Sequence, residues 1–241
     1  MRCAVIQPSY IPWRGYFDMI GRSDLFVFYD DVQFDKHGWR NRNRIKTAAG
    51  PAWLTIPVQK KGNVERAIRI DEIEIATATG WNRKHLASLR QSYARAPYLE
   101  RYMPLLERHL TEPPRLLAEL TIPLTVEIAR ELGYRTEFRR SSEMNLSGDR
   151  AERLLDLLGQ VGATEYLSGP AAGSYIDPAA FEAAGIELEY MAYDYGEYPQ
   201  LHPPYEPQVS IVDLLFMCGP EADRHLGPCP GETYDQQSWR R

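Results

Sequence analysis

The chain has 241 residues, a net charge of −5, 44% hydrophobic residues and 25% charged residues. These values are typical of one globular domain, and the acidic balance argues against a general nucleic-acid binder. No apolar stretch is long enough to span a membrane, and the short apolar run before Pro8 does not resemble a signal peptide. Three scattered cysteines indicate neither a disulfide framework nor a zinc site, so we expect a cytoplasmic protein.

The first 30 residues predict a βαβ unit. Residues 2–7 form a short apolar run that Pro8 interrupts, which is typical of a buried strand. Residues 15–22 then predict a short helix, and residues 25–29 predict a second strand rich in aromatic and β-branched types. Such a unit favours a parallel sheet that helices cover.

The spacing of apolar residues changes twice in the middle of the chain. We predict an ordered polar loop over residues 30–46, a strand over 52–58, and a half-exposed strand over 66–75 with a bulge at Asp71 and Glu72. Three helices follow, and they predict a helical subdomain over about 80–133 in which His85 and His109 lie at the surface. The helices cover about 81–93, 98–110 and 114–132.

Alternating strands and helices return in the last third of the chain. Strands are predicted at 136–138, 165–167 and 186–190, with helices opening at Asp149 and Pro178 and a final helix capped by Ser210. The sequence therefore predicts an α/β fold, with a parallel or mixed sheet flanked by helices and a helical insertion. We expect one domain over residues 1–219 and a loosely held tail over 220–241.

The first candidate site is the loop that follows the first predicted strand. Ligands bind outside the carboxyl ends of strands in open parallel sheets, and a helix N-terminus favours an anion. A rigid surface turn with Trp13 covering the core is the alternative. The candidate ligand-binding residues are Gln7, Tyr10, Trp13, Gly15 and Tyr16.

The second candidate site follows the second strand. Its cations suit carboxylate or phosphate recognition, whereas Asp30, Asp31 and His37 are candidates for acid–base catalysis. A solvated surface loop is the alternative, and the spacing of the two aspartates and the histidine is too unspecific to predict a metal site. The candidate substrate-binding residues are Gln33, Arg40, Asn41, Arg42 and Lys46.

The third candidate site lies after the predicted strand at 165–167. Ser168 and Gly169, with Tyr175 nearby, could bind a ligand there, although a plain turn of small residues is the alternative. No GxSxG elbow surrounds Ser168, so we do not expect a serine nucleophile. The chain also lacks the phosphate-loop, dinucleotide and zinc-protease motifs, and the sequence identifies no cofactor.

The ordered set of motifs resembles the WbqC-like protein family over about 220 of the 241 residues. The resemblance implies a setting in the biosynthesis of O-antigen and other surface polysaccharides and does not name a reaction. The motifs are QPSYIPWRGYFDMI (7–20), DLFVFYDDVQF (24–34), WRNRNRIK (39–46), WLTIPV (53–58), YLSG (166–169) with Tyr175, GIELEY (185–190) and SIVDLLFMCG (210–219).

The first loop is also similar to that of the nucleotidyltransferase or HUP-type Rossmann-like α/β fold, where a strand is followed by a short motif opening a helix. In that fold the loop carries histidines, whereas this sequence has Trp13, Gly15 and Tyr16. The likeness is therefore an analogy of fold alone, because the imidazoles that stabilise a phosphoryl transition state are missing.

Three functional hypotheses follow. The first is a transferase that joins an acyl or aminoacyl group, supplied as a thioester or other activated small donor, to an amine of a sugar or other metabolite. The second is nucleotidyl or glycosyl transfer from a nucleotide-linked donor. The third is a scaffold without enzymatic activity in a polysaccharide assembly complex. A strand-end cleft lined by the candidate residues would favour an enzyme, and a flat apolar patch would favour the scaffold.

Overall fold

The computed structural model describes residues 1–35, 38–59, 67–76, 79–174 and 176–227. The strands are β1 (Arg2–Ile6), β2 (Leu25–Phe28), β3 (Arg42–Thr47), β4 (Gly50–Thr55), β5 (Glu137–Arg140), β6 (Glu165–Ser168) and β7 (Glu187–Tyr190). The α-helices are α1 (Arg14–Gly21), α2 (Trp81–Ser92), α3 (Leu99–Leu110), α4 (Leu117–Glu131), α5 (Arg150–Val161), α6 (Pro178–Ala183) and α7 (Ile211–Cys218).

Five strands form one parallel sheet in the order β5-β2-β1-β6-β7. The central strand β1 pairs with β2 on one side and with β6 on the other. The chain runs outward from β1 through β2 to β5, and then returns to the other side of β1 to form β6. The strand order therefore reverses between β1 and β6, which opens a crevice at their carboxyl ends. The parallel sheet confirms the predicted α/β fold, while the likeness to nucleotidyltransferases remains an analogy.

Helices cover both faces of the sheet because successive side chains of each buried strand point to opposite sides. Ala4, Phe26 and Phe28 face one hydrophobic core, to which α1, α7 and the three helices α2–α4 contribute. Cys3 and Val27 face a second core, which α5 and α6 complete. The predicted βαβ unit at the start of the chain is confirmed.

The polar segment after β2 is only partly a loop. Its second half forms β3, which pairs antiparallel with β4 in a separate two-stranded hairpin. Ile45 and Leu54 are buried on one side of this hairpin, and Trp53 is exposed on the other. The alternation of cationic and uncharged residues in 39–46 was the signal for this strand, and the prediction of a continuous loop there was wrong.

The three predicted helices of the middle region are confirmed as α2, α3 and α4. Their apolar faces join the same core as the sheet, through fully buried residues such as Leu89, Leu106 and Leu120. His85 is buried in α2, contrary to the surface position predicted for it, because Tyr10 and Trp81 pack against its ring. His109 is partly buried and bonds to Glu127.

The predicted strand over 66–75 is wrong where the structure describes it. A 3-10 turn occupies Ile70–Glu72, between isolated bridges that Arg69 and Ile75 form with distant residues. Ile70 and Ile73 are both buried, which the three-residue period of such a turn explains as well as strand alternation does. The turn lies at Asp71 and Glu72, where a bulge was predicted.

The C-terminal part follows the predicted order of elements. Ser210 caps α7 by accepting a hydrogen bond from the Val212 backbone N–H at 3.3 Å. A 3-10 helix over Gly219–His225 follows, and Ala222 within it is buried. Across the ranges that the structure describes, every helix is too short or too polar to cross a lipid bilayer.

Candidate functional site

A cleft of about 1070 Å³ opens at the carboxyl ends of β1, β2 and β6, where the strand order reverses. Parallel strands all present their carboxyl ends at the same edge, so residues far apart in sequence meet there. Its lining includes residues from the ends of three strands and from α5. They are Gln7 after β1, Asp31 and Gln33 after β2, Ser168 and Gly169 at the end of β6, Arg40, and Arg150 and Arg153 of α5.

Arg40 lies at the centre of this edge and carries an incompletely bonded charge. One terminal nitrogen, Nη1, donates to the Gln7 carbonyl at 3.0 Å and to the Ser9 hydroxyl at 2.9 Å. Its Nε is buried and has no hydrogen-bond partner within the described residues. Burial lowers the pKa of the Arg40 guanidinium, and the charges of Tyr16 and Asp35 oppose this effect in part. An anion beside Arg40 would stabilise the buried charge.

Arg14 is a second buried arginine, and its surroundings differ from those of Arg40. It donates to the carbonyls of Gly196, Tyr195 and His225, and its guanidinium lies 4.6 Å from the centre of the Tyr195 ring. Although one nitrogen is unsatisfied, the carbonyls and aromatic faces surround the charge. Arg14 therefore holds the loop after β7 in place, whereas Arg40 faces open cavities.

Asp31 and Arg153 form an ion pair in the wall of the cleft. One Asp31 oxygen accepts from Arg153, and the other accepts from the Ser141 hydroxyl at 2.5 Å. A carboxylate has about four lone-pair sites, so these bonds leave Asp31 able to accept a further proton or hydrogen bond. Asp31 is therefore the predicted catalytic carboxylate that the cleft exposes.

The Asp30 carboxylate lies outside the cleft wall and is surrounded by hydrogen-bond donors. Its side chain is fully buried and accepts from Arg140 Nε at 2.6 Å, from the Ser142 backbone N–H at 3.0 Å and from the Ser142 hydroxyl at 2.9 Å. The Ser141 hydroxyl lies 3.2 Å from Asp30 and shares its one hydrogen between Asp30 and the nearer Asp31. These partners come from the end of β5, so the carboxylate ties β2 to β5. Asp30 does not line the cleft in the described structure.

The N-terminus of α5 closes one side of the cleft. Gly148 and Arg150 have positive φ angles of 79° and 43°, and Asp149 at the N-cap position makes no side-chain capping bond. The N–H groups of the first helical turn are not used within the helix, and the helix dipole adds partial positive charge at this end. Together with Arg150 and Arg153 this favours an anion, although Asp149 also lines the cleft.

A second cavity of about 360 Å³ lies on the other side of Arg40, which lines both cavities, as does Ile6. Trp13 and Tyr16 form part of its wall, and the Tyr16 hydroxyl donates to the Gln7 carbonyl at 3.2 Å. Gly15 allows Trp13 to lie over the start of α1, because a Cβ there would come within 2.3 Å of the indole ring.

Other predicted residues are placed away from both cavities. Tyr10 is buried and bonds to His85 Nδ1 at 3.0 Å, and Asn41 donates to the Ile56 carbonyl at 2.7 Å. Lys46 is buried and bonds to the Pro204 carbonyl. Arg42 donates to the Gly38 carbonyl at 3.2 Å and lies over the ring of Trp53. These four residues support the fold around the cleft.

His37 and Tyr175 lie outside the described residues, and their functional roles stay predictions. Arg150, Arg153 and Ser141 were not among the residues predicted from the sequence. A signal for the two arginines was available, since both lie in the first turn and a half of a predicted helix that precedes a strand. Among the described residues, no group of three or more His, Cys, Asp or Glu side chains could hold a metal ion.

The parallel sheet with helices on both faces defines an α/β protein with a cleft at the carboxyl ends of its strands. The model of the WbqC-like protein family matches residues 7–225, and the chain belongs to this family. It is also 41% identical over 230 residues to an uncharacterized protein of Mycobacterium tuberculosis, and the alignment covers 95% of this chain and 98% of that relative. No solved structure matches the chain.

Proposed function

We propose that this protein is a biosynthetic transferase that binds the phosphate group of an activated donor in the cleft at the carboxyl ends of β1, β2 and β6. The single observation that carries the proposal is Arg40, a largely buried guanidinium that lines the cleft and has no hydrogen-bond partner for its Nε within the described residues. A buried N–H group without a hydrogen-bond partner is costly, so a bound anion that accepts from the Nε would complete this site.

The surroundings of Arg40 support a phosphate. Arg150 and Arg153 line the same cleft, and the first turn of α5 presents backbone N–H groups with the positive end of the helix dipole. Arginine forms paired hydrogen bonds with phosphate oxygens. The cleft volume of about 1070 Å³ is at the upper end of the range for small-molecule sites, which suits a donor of nucleotide size.

Phosphate is the chemistry that the first two hypotheses share. Acyl-coenzyme A thioesters and acyl adenylates carry it in acyl or aminoacyl transfer, and nucleotide sugars carry it in glycosyl transfer. In either case the amine or hydroxyl of an acceptor attacks the activated carbon, and the leaving group departs with the electrons of the broken bond. The proton of the acceptor passes to Asp31, the carboxylate of the cleft wall, which would act as the general base.

The cleft also supports an enzyme over a scaffold. A scaffold would present a flat apolar surface with the polar segments directed away from it. Here charged and polar side chains from β1, β2, β6 and α5 line one concave site. Convergent polar groups of this kind are typical of a small-molecule site.

Thermal denaturation with a panel of ligands tests the proposal. The panel contains acyl-coenzyme A compounds, nucleoside phosphates, nucleotide sugars, amino acids and inorganic pyrophosphate. We expect at least one phosphate-bearing compound to raise Tm in a saturable manner, since a ligand at one hundred times its Kd stabilises the folded state by about 2.7 kcal/mol. The compound that binds then separates acyl from glycosyl or nucleotidyl donors.

Two variants locate the binding. Arg40→Gln and Arg150→Gln should each weaken binding by about tenfold or more, as expected for the loss of a charge-assisted hydrogen bond. Arg115→Gln is the matched control, because Arg115 is an exposed arginine paired with Glu74 outside the cleft. Arg150 is exposed, so its variant should fold. No shift with any phosphate compound, or full affinity in both cleft variants, would contradict the proposal.

A further inference from the structure

The smaller cavity beside Arg40 differs in chemistry from the cleft. Its volume is about 360 Å³, and its described lining contains three aromatic side chains, Trp13, Tyr16 and Trp39, with Ser9, Asn43 and Gln208 as uncharged polar residues. Arg40 is the one charged residue of this described lining, and no acidic side chain takes part in it. The cavity therefore lacks a counter-ion for a positively charged ligand and offers aromatic surface and amide groups instead.

Neighbouring residues fix the aromatic side chains that line the cavity. Trp13 packs edge-on against Tyr193, with 4.9 Å between the ring centres, and also against Tyr195. Tyr16 is fixed by its hydrogen bond to the Gln7 carbonyl. Packing of this kind fixes these side chains before binding, so little side-chain entropy is lost when a ligand binds.

Trp39 lines the cavity and is unusually exposed to solvent for a tryptophan. Its side chain is 40% exposed, and the neighbouring Trp53 is 48% exposed. Their ring centres lie 5.0 Å apart, and Arg44 approaches Trp39 at 5.7 Å. Exposed aromatic surface next to a cavity is a mark of a binding site, because isolated solvent exposure of such rings gains nothing for stability.

We propose that this cavity is the acceptor site of the transferase and binds a pyranose ring. The C–H groups of a pyranose are weakly positive and pack on the negative faces of aromatic rings. Its hydroxyl groups need donors and acceptors, which Ser9 and Gln208 supply at the polar side of the cavity. The volume lies at the lower end of the range for ligand sites and so suits one sugar ring.

The position of the cavity fits an acceptor. This inference rests on the proposed function, in which the donor phosphate lies beside Arg40 in the larger cleft. Because Arg40 and Ile6 line both cavities, a sugar in the smaller one lies next to the donor and can present a hydroxyl or amine to it. Proximity of two bound reactants is itself a large part of catalysis.

Saturation-transfer NMR with methyl pyranosides tests the inference. The probes are neutral, amino, N-acetylamino and uronic methyl glycosides, each used with and without inorganic pyrophosphate. Trp39→Ala should weaken the binding of the best glycoside by about tenfold, which is the range of a stacking contact. Trp53→Ala is the matched control, since Trp53 is an exposed tryptophan of the neighbouring β3–β4 hairpin and does not line the cavity. We expect it to keep the affinity within about twofold.

The outcomes separate this inference from the proposed function. If no glycoside binds, or if both tryptophan variants bind equally well, the acceptor site is overturned, while the phosphate-dependent rise in Tm still tests the donor cleft by itself. If Trp39→Ala instead abolishes the rise in Tm with a nucleotide, the cavity holds the base of the donor, and the acceptor assignment is overturned.

Discussion

Asp30 and Asp31 are adjacent in sequence, yet the structure separates their roles. The Asp30 carboxylate has four donors around it and is fully buried, whereas Asp31 lies in the wall of the cleft with capacity for another partner. A side chain that is saturated with structural bonds is poorly suited to exchange protons with a substrate. The expected consequence of changing Asp30 is therefore a loss of stability.

We expect Asp30→Asn to lower the free energy of unfolding by about 3 kcal/mol, because it leaves Arg140 without its buried partner. Urea denaturation measures this change. Glu221→Gln removes a carboxylate from the exposed ion pair with Arg224 and should cost less than about 1 kcal/mol. Equal losses in the two variants would show that Asp30 does not tie β2 to β5.

His85 makes stability depend on pH. Burial lowers the pKa of His85 from 6.5 to about 4, although a hydrogen bond to the Thr55 backbone opposes this shift. In the unfolded chain the imidazole takes up a proton near pH 6.5, whereas in the folded protein it stays neutral to about pH 4. Protonation therefore favours the unfolded state, and the protein loses stability as the pH falls through this window.

The full effect of His85 amounts to at most about 3 kcal/mol between the two pKa values. We compare the slope of unfolding free energy against pH for the wild type and His85→Gln by urea denaturation at several pH values from 7 to 4. The variant should have the smaller slope, whatever its stability at neutral pH. Identical slopes would place the titration responsible for acid sensitivity elsewhere.

At the scale of elements, the turn from β1 into α1 depends on the packing of Trp13 over Gly15. A Cβ at position 15 would meet the Trp13 ring at 2.3 Å, so the indole would have to move from its contacts with Tyr193 and Tyr195. Trp13 thus connects the start of α1 to the loop after β7. It also shapes the wall of the smaller cavity.

We expect Gly15→Ala to destabilise the protein by about 1–3 kcal/mol, the usual range for an overpacked site. Gly159→Ala in α5 is a suitable control, because nothing lies within 4 Å of the added Cβ and the helix gains about 0.5–1 kcal/mol from alanine. Differential scanning calorimetry should therefore show Tm shifts of opposite sign. A neutral Gly15→Ala would mean that Trp13 is not held against this turn.

The hairpin shows why sequence patterns predicted some elements better than others. Residues 39–46 contain many charges, which is typical of a loop, yet Ile45 is buried and β3 pairs with β4 over its whole length. Long cationic side chains such as Arg42 and Arg44 lie on aromatic rings, so a strand of this composition can still be ordered. The helices α2–α4 were easier to predict because their apolar period is strong and local.

At the scale of the whole molecule, the helical block and the sheet share one hydrophobic core. Leu120 of α4 and Phe26 of β2 both belong to it, and both are fully buried. Elements that share a core are expected to unfold together. This expectation agrees with the prediction of a single domain over residues 1–219.

We therefore predict that thermal unfolding followed by tryptophan fluorescence coincides with unfolding followed by far-ultraviolet circular dichroism. Trp81 reports from the helical block and Trp13 from the edge of the sheet. Leu120→Ala should lower the free energy of unfolding by about 3 kcal/mol. The midpoint temperatures of both signals should therefore fall together. An early separate transition in the fluorescence signal would indicate that the block is an independent unit.

The sequence by itself determined the family, the alternation of strands and helices, and the edge of the sheet at which a ligand would bind. These features depend on local periodicity, on turn residues and on the rule that parallel strands present their carboxyl ends together. Among the residues predicted at this edge, the cleft is lined by Gln7, Asp31, Arg40 and Ser168. Tyr10, Asp30 and Arg42 were predicted to meet Ser168 there, and they do not line the cleft.

Only the tertiary structure decided which polar residues face the cleft and which are buried in structural bonds. Asp30 bonds to Ser141 and Ser142, more than 100 residues away along the chain, and Tyr10 bonds to His85 across 75 residues. No local pattern encodes such partners, because a charge or hydroxyl is satisfied by whatever the fold brings beside it. For the same reason Arg150 and Arg153 enter the candidate site only once α5 has packed against the sheet.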